Sequence, residues 1–184
     1  MFSKTLTRLA LVLALAIPAL PAMAGSGGAE AIVTVTGAVS QPNRPPFDAF
    51  RDGFFAFHNV TFAKAHAFTR PELKALGMHE VTLHYPNWPA AITFRGPRLR
   101  DVLAAAGASG TTITTQALDG YAAAQPFAAL QGDDVLLAIE ADGQPLAIGG
   151  RGPTWLVFPP GTIPGQSAAT DAGLAWAVFH IKIE

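Results

Sequence analysis

Cysteine is absent from all 184 residues. That absence removes disulfides, thiolate-held zinc, iron–sulfur clusters and a cysteine nucleophile, so the core alone must hold the fold. Charge is scarce too: Asp, Glu, Lys and Arg make up 14% of the chain, with no basic run or stripe. Such a sequence carries no footprint for a nucleic-acid backbone. Among the five histidines no HxH, HxxxH or HExxH spacing occurs. His58 and His66 flank an apparent strand, while His79 and His84 lie an odd number of residues apart and would leave a continuous strand on opposite faces. No metal site is expected from these spacings. A GxSxG elbow and a Walker loop are also missing. The glycine-rich run Gly149-Gly150-Arg151-Gly152 precedes a strand, not a helix whose dipole could bind phosphate.

Long apolar runs are missing as well. The longest candidate, Leu9 to Leu20, is shorter than the roughly 20 residues needed to span a bilayer. With Lys4 and Arg8 before it and Ala22-Met23-Ala24 after it, residues 1–24 read as a secretory signal peptide cleaved after Ala24. The mature protein is expected to be periplasmic or secreted, with no membrane span after cleavage. Losing Lys4 and Arg8 leaves 10 basic against 13 acidic residues, a net charge of −3. Residues 25–31 read as a flexible leader, and residues 32–184 as a single domain large enough for a substantial core.

What is present follows clear periods. Ile32 to Gly37 alternates as a strand, and three prolines make Gln41 to Pro46 irregular. Phe47, Phe50, Phe54 and Phe57 recur at helical spacing, which predicts a helix fixed to the core by four phenylalanines and ended at Asn59. An exposed docking face is the alternative. Thr69-Arg70-Pro71-Glu72 is a capping box with Phe68 and Leu73 at the staple positions, and Gly77 ends the short helix. Glu80 to Tyr85 alternates, placing Val81, Leu83 and Tyr85 on one face. Pro97 opens another helix with a buried stripe of Leu99, Val102, Leu103 and Ala106, ended by Gly107. Thr111 to Leu118 is a strand closed by Asp119-Gly120. Asp133 to Leu146 reads as an apolar strand, an Asp-Gly turn and a return strand, followed by a Gly152-Pro153 corner and one more buried strand through Phe158. Trp176 to Ile183 alternates, with Ala177, Phe179, Ile181 and Ile183 pointing one way. Many strands with few, short, non-alternating helices predict an α+β domain.

Several of these pieces, in this order, resemble the molybdopterin-binding domain of sulfite-oxidase-type enzymes. They are Val35-Thr36-Gly37, Phe68-Thr69 with Glu72-Leu73, Phe94-Arg95-Gly96-Pro97 with Leu99 and Asp101-Val102-Leu103, the Leu136 to Leu146 hairpin, and Gly152-Pro153 with Leu156 to Pro159. The resemblance implies a mixed β-sheet, barrel-like core with short helices. It also implies a molybdenum-ligating cysteine after the strand that follows the capped helix, where this sequence has His84 or Tyr85. Neither is the soft ligand that site needs. The family's active-site tyrosine is matched by Tyr121. The arginine expected after the glycine-proline corner is Trp155, and the basic residue expected before Trp176 is Ala175. Tryptophan cannot clamp an oxyanion as arginine does.

The pocket candidates are therefore His84, Tyr85, Asn87, Trp88, Arg95, Tyr121, Arg151 and Trp155. The stiff Tyr85-Pro86-Asn87-Trp88-Pro89 loop could stack a planar ligand or fill a vacated cofactor cavity. Arg95, Arg98, Arg100 and Arg151 could attract an anion or be solvated surface arginines. The expectation is a non-catalytic or cofactor-free relative that binds a small-molecule or anionic ligand, or a periplasmic protein partner. A molybdopterin oxidoreductase with unusual ligation through Tyr85, or with no protein ligand, is the first alternative. A subunit docking on a redox partner through the phenylalanine-rich helix is the second.

Overall fold

A computed structural model describes residues 30–184; the expected signal peptide, its expected cleavage site and most of the expected leader lie outside the described residues. The chain runs β1 (Ala31–Gly37), α1 (Gly53–Phe57), β2 (Ala65–Thr69), α2 (Arg70–Ala75), β3 (His79–Leu83), β4 (Ile92–Gly96), α3 (Leu99–Ala105), β5 (Thr112–Ala117) and β6 (Ala122–Pro126). A 3-10 turn (Phe127–Leu130) leads to β7 (Leu136–Ala138), β8 (Glu140–Ala141), β9 (Gln144–Pro145), β10 (Trp155–Val157) and β11 (Val178–Ile183). Ala31, expected in the leader, already pairs in β1.

Among the described residues, eleven short strands and three short helices make an α+β fold of three open sheets. The largest has the order β2-β1-β11-β5-β6, with β1 and β11 parallel and the other neighbours antiparallel. A second sheet orders β3-β4-β8-β9, and β7 pairs with β10 in the third. No sheet closes into a barrel among the described residues. The apolar stretch after Asp134 is not one strand: it breaks at Ile139, so β7 belongs to one sheet and β8 to another. The expected Asp-Gly turn then joins β8 to β9, with both Asp142 (φ 47°) and Gly143 (φ 74°) left-handed. At Gly96 a Cβ would stand 2.3 Å from the Leu137 carbonyl oxygen, so only glycine lets β4 approach β7 this closely.

The capping box forms as its residues require. The Thr69 backbone N–H donates to Glu72 Oε2 at 2.7 Å and the Glu72 N–H to Thr69 Oγ1 at 3.3 Å. The Thr69 backbone bond, then its hydroxyl, holds the Glu72 carboxyl below its ordinary range. Phe68 and Leu73 are buried. In α3 the whole predicted stripe, Leu99, Val102, Leu103 and Ala106, is buried in the main core with Val33, Val35, Ile113 and Ile181. Its N-cap is Arg98, so Pro97 precedes the helix rather than opening it.

The phenylalanine segment departs from its periodicity. Asp48 Oδ1 accepts from the Phe50 and Arg51 backbone N–H groups, which closes a turn, and Asp52 leaves the helical region at φ −99°, ψ 38°. The helix is thus confined to α1 and none of its residues is buried. Phe50 is 95% exposed and Phe57 78%, so the four rings do not share a buried face. Phe55 instead packs inward on Phe62 and Phe179. Asn59 does end the helix, at φ 56°, with its N–H on the Ala56 carbonyl and that of Val60 on Phe55. In β11 a register shift between Val178 and His180 breaks the expected alternation. Val178, Ile181 and Ile183 enter the main core, while Phe179 and His180 both lie against Phe55. The apparent strand before His66 is loop, and His66 lies within β2.

Candidate functional site

Three segments bring the aromatic candidates together. The chain leaves β3 at Leu83 and turns, the Trp88 N–H donating to the Tyr85 carbonyl at 2.9 Å. β10 carries Trp155 beside β7, and the segment before β11 is tied to it by Leu156 N–H on Ala175 O and Ala177 N–H on Arg151 O, both 2.9 Å. Trp155 meets Phe94 edge-on at 4.9 Å between ring centres and Trp88 at 5.9 Å, and Trp88 meets Tyr85 at 5.1 Å. Tyr85, Trp88 and Trp155 are all buried. This cluster fills the interior between β4 and β10.

Polar groups fix its edge. The Tyr85 hydroxyl donates to the Phe158 carbonyl at 2.8 Å. Burial, with the Asp171 charge adding to it, pushes that phenol up to about 12, so it stays protonated at any physiological pH. Trp88 Nε1 donates to Asp171 Oδ2 at 2.8 Å, and Asn87 Nδ2 to Asp171 Oδ1 at 2.9 Å. The Trp88 bond is the larger influence holding the Asp171 carboxyl below its ordinary value, with Asn87 also contributing. Trp155 Nε1, by contrast, is buried without a hydrogen-bond partner. Arg151 lies with its guanidinium carbon 4.7 Å from the Trp155 ring centre and 5.8 Å from that of Trp176, which is 40% exposed. Beside Trp176 and Asp171 a groove of about 270 Å³ is bounded by Tyr121, Asp119 and Leu174. Tyr121 is half-exposed.

Six of the eight sequence candidates therefore gather in one region: Tyr85, Asn87, Trp88, Tyr121, Arg151 and Trp155. His84 points to solvent. Arg95 lies apart on the opposite face of β4 from Phe94, where it pairs with Glu140 at 3.2 Å and Glu80 at 3.8 Å. The Glu140 carboxyl is held low, first by the bond from Lys74. Arg98 and Arg100 are taken by Asp133, at 3.3 and 2.7 Å. Of the four arginines weighed as anion attractors, Arg151 is the one beside the aromatic cluster.

Two residues escaped the sequence reading. Asp171 sits in a stretch of small residues with no motif around it. Arg70, read only as part of the capping box, reaches from α2 to the carbonyls of Ile139 and Leu146, both at 2.8 Å, and more loosely to that of Pro153 at 3.4 Å. It ties the break between β7 and β8 to the corner at Gly152-Pro153, whose peptide bond is cis. Among the described residues no three His, Asp or Glu side chains converge as metal ligands, and no helix is long and apolar enough to cross a membrane.

No curated protein matches the chain in sequence. Among solved structures, the sulfane dehydrogenase SoxCD from Paracoccus pantotrophus shares the fold at a TM-score of 0.52 and 18% identity, over 82% of this chain. The chain spans only 37% of the length of that one. The family model for the oxidoreductase molybdopterin binding domain matches residues 30–168, from β1 through β10 and into the Asp171 loop's approach. With the sheet order, the capped helix and the glycine-proline corner all in place, the chain belongs to the oxidoreductase molybdopterin-binding domain family.

Proposed function

We propose that this protein is a non-catalytic, cofactor-free member of its family. On this reading it acts in the periplasm and binds a small planar molecule in the groove beside Trp176. The observation that carries the reading is the packing of Trp155. It stands where the family resemblance calls for an arginine, and it is 2% exposed among Trp88, Phe94 and the Arg151 guanidinium. The donor set does not fit a molybdenum centre. There is no thiolate, and the phenol nearest the expected ligand position is protonated and already bonded to a carbonyl. The groove offers instead two half-exposed aromatic rings, Tyr121 and Trp176, and the carboxylates of Asp119 and Asp171. Flat rings stack on the former and N–H donors bond to the latter.

The test is to purify the protein from a molybdopterin-competent host and measure molybdenum by elemental analysis and pterin by fluorescence. Far less than one equivalent of either is expected. Near one equivalent of both would overturn the proposal and return the chain to the oxidoreductases. A second reading, docking to a protein partner, is favoured by the exposure of Phe50 and Phe57. Photo-crosslinking from position 57 in the native host tests it, and a redox protein as the adduct is the supporting outcome.

A further inference from the structure

The five-stranded sheet has two faces of opposite character. Val33, Val35, Ile113, Ile181 and Ile183 enter the main core from one. The other face carries two polar rows across three strands. Strand register aligns Thr34 with His180 and His180 with Gln116, then Thr36 with Lys182 and Lys182 with Thr114. Polar side chains on a covered sheet face are costly unless bonded. Here part of the cost is met internally: Thr36 Oγ1 lies 2.7 Å from His180 Nε2, and His180 Nδ1 lies 3.2 Å from Gln116 Oε1. An amide oxygen only accepts, so the Nδ1 of this imidazole carries the proton and the threonine hydroxyl donates to Nε2.

The phenylalanine segment covers this face but does not fill the space over it. Between the rows and the stretch from His58 to Thr61 lies a cavity of about 270 Å³. It shares Thr36, Thr61 and Lys182 with a larger cavity of about 550 Å³, whose wall adds Lys64 and the apolar Val39 and Phe62. His58 stands against the rings of Phe54, Phe57 and Phe179, and its Nε2 is buried with no hydrogen-bond partner. No carboxylate lines either cavity. The one that reaches Lys182 comes from outside, Glu184 Oε1 at 2.6 Å from Nζ.

We propose that these joined cavities are a binding site for a small aliphatic carboxylic acid. Its carboxylate would sit between Lys182 and His58, and its apolar tail would lie along Val39 and Phe62. The cavity walls present cationic and neutral donors and no acid of their own, and His58, whose Nε2 has no hydrogen-bond partner, lines the smaller cavity beside Lys182. Burial, then the charge of Lys182, lowers the His180 pKa to about 4 and keeps the imidazole neutral, so His180 orients Thr36 and adds no charge. Glu184 acts as a counter-ion that an entering carboxylate displaces from Lys182.

Hexanoate is the probe, and the imidazole nitrogens of the whole ¹⁵N-labelled protein are the readout. Hexanoate should shift the His58 resonances saturably, while hexylamine leaves them unmoved. Lys182→Met, on an exposed side chain whose loss the fold tolerates, should weaken binding roughly tenfold. Glu184→Gln, which removes the competing acid, should tighten it. Absence of a saturable His58 shift, or equal affinity in Lys182→Met, would overturn the site. So would a response confined to the Trp176 indole, because it would put the acid in the other groove.

Discussion

Acidification should weaken this fold well above the pH at which its carboxylates titrate, and His180 sets the size of the effect. Its imidazole is 3% exposed and bonded on both nitrogens as the neutral form. Its pKa falls from the ordinary 6.5 to about 4, mainly by burial and next by the Lys182 charge. The unfolded chain therefore binds a proton between those values that the folded chain refuses. For a depressed histidine the stabilisation is complete above the unfolded value and is lost as pH falls from 6.5 towards 4. Linkage gives a loss of about 2 kcal/mol between pH 7.5 and pH 5 from this residue alone. Glu72, Glu140 and Asp171, whose carboxyls are held low, add their losses only once pH falls through the ordinary carboxylate range. Stopping at pH 5 thus isolates the histidine. Urea unfolding followed by tryptophan fluorescence at pH 7.5, 6.5, 5.75 and 5 measures it. His180→Leu keeps every other titrating group and supplies the baseline, whatever its stability at neutral pH. If the two proteins lose the same stability over this range, the reasoning fails.

The two buried indoles should respond differently to the same truncation. Trp88→Phe removes a donor from the Asp171 carboxylate, whereas Trp155→Phe deletes a donor that has no partner. The former should cost about 2 kcal/mol more than the latter by chemical denaturation, and equal costs would refute the assignment of Asp171 as the anchor of Trp88. Arg70→Met strands three carbonyls at once and should destabilise by about 3 kcal/mol, measured the same way, with faster hydrogen exchange at the Gly152 and Ile139 amides. Gly96→Ala forces a methyl against the β7 backbone and should lower stability by about 3 kcal/mol, while Gly143→Ala, with open space around it, should cost only its left-handed strain of about 1 kcal/mol.

What could be read from the sequence was what depends on near neighbours. The Thr69–Glu72 box, the α3 stripe and the Asp142-Gly143 turn are set within a few residues, and they form where their motifs stand. The phenylalanine period failed because Asp48 and Asp52 compete for the backbone donors that a longer helix would use, a local effect hidden beneath a strong pattern. β6 was invisible because Ala122-Ala123-Ala124 has no strand propensity, and its conformation comes from pairing with the threonines of β5. At the site, the aromatics of the proline-rich loop could be singled out by chemistry. Asp171 could not, since its role exists only once a stretch more than eighty residues away folds back onto Trp88. The polar rows beneath His58 likewise depend on strand order, which no single segment encodes.

The place of β11 bears on how the protein comes to be folded. It lies between β1 and β5, and the bond from Thr36 to His180 spans 144 positions of sequence. Until residues 178–183 have been made, the large sheet exists only as two fragments, β2-β1 and β5-β6, each showing a raw edge to the other. Such edges are templates for mispairing, and closing so long a loop is slow. A nascent chain that has reached Trp176 is thus a pair of sticky half-sheets waiting for a wedge, and one late strand turns them into a single surface.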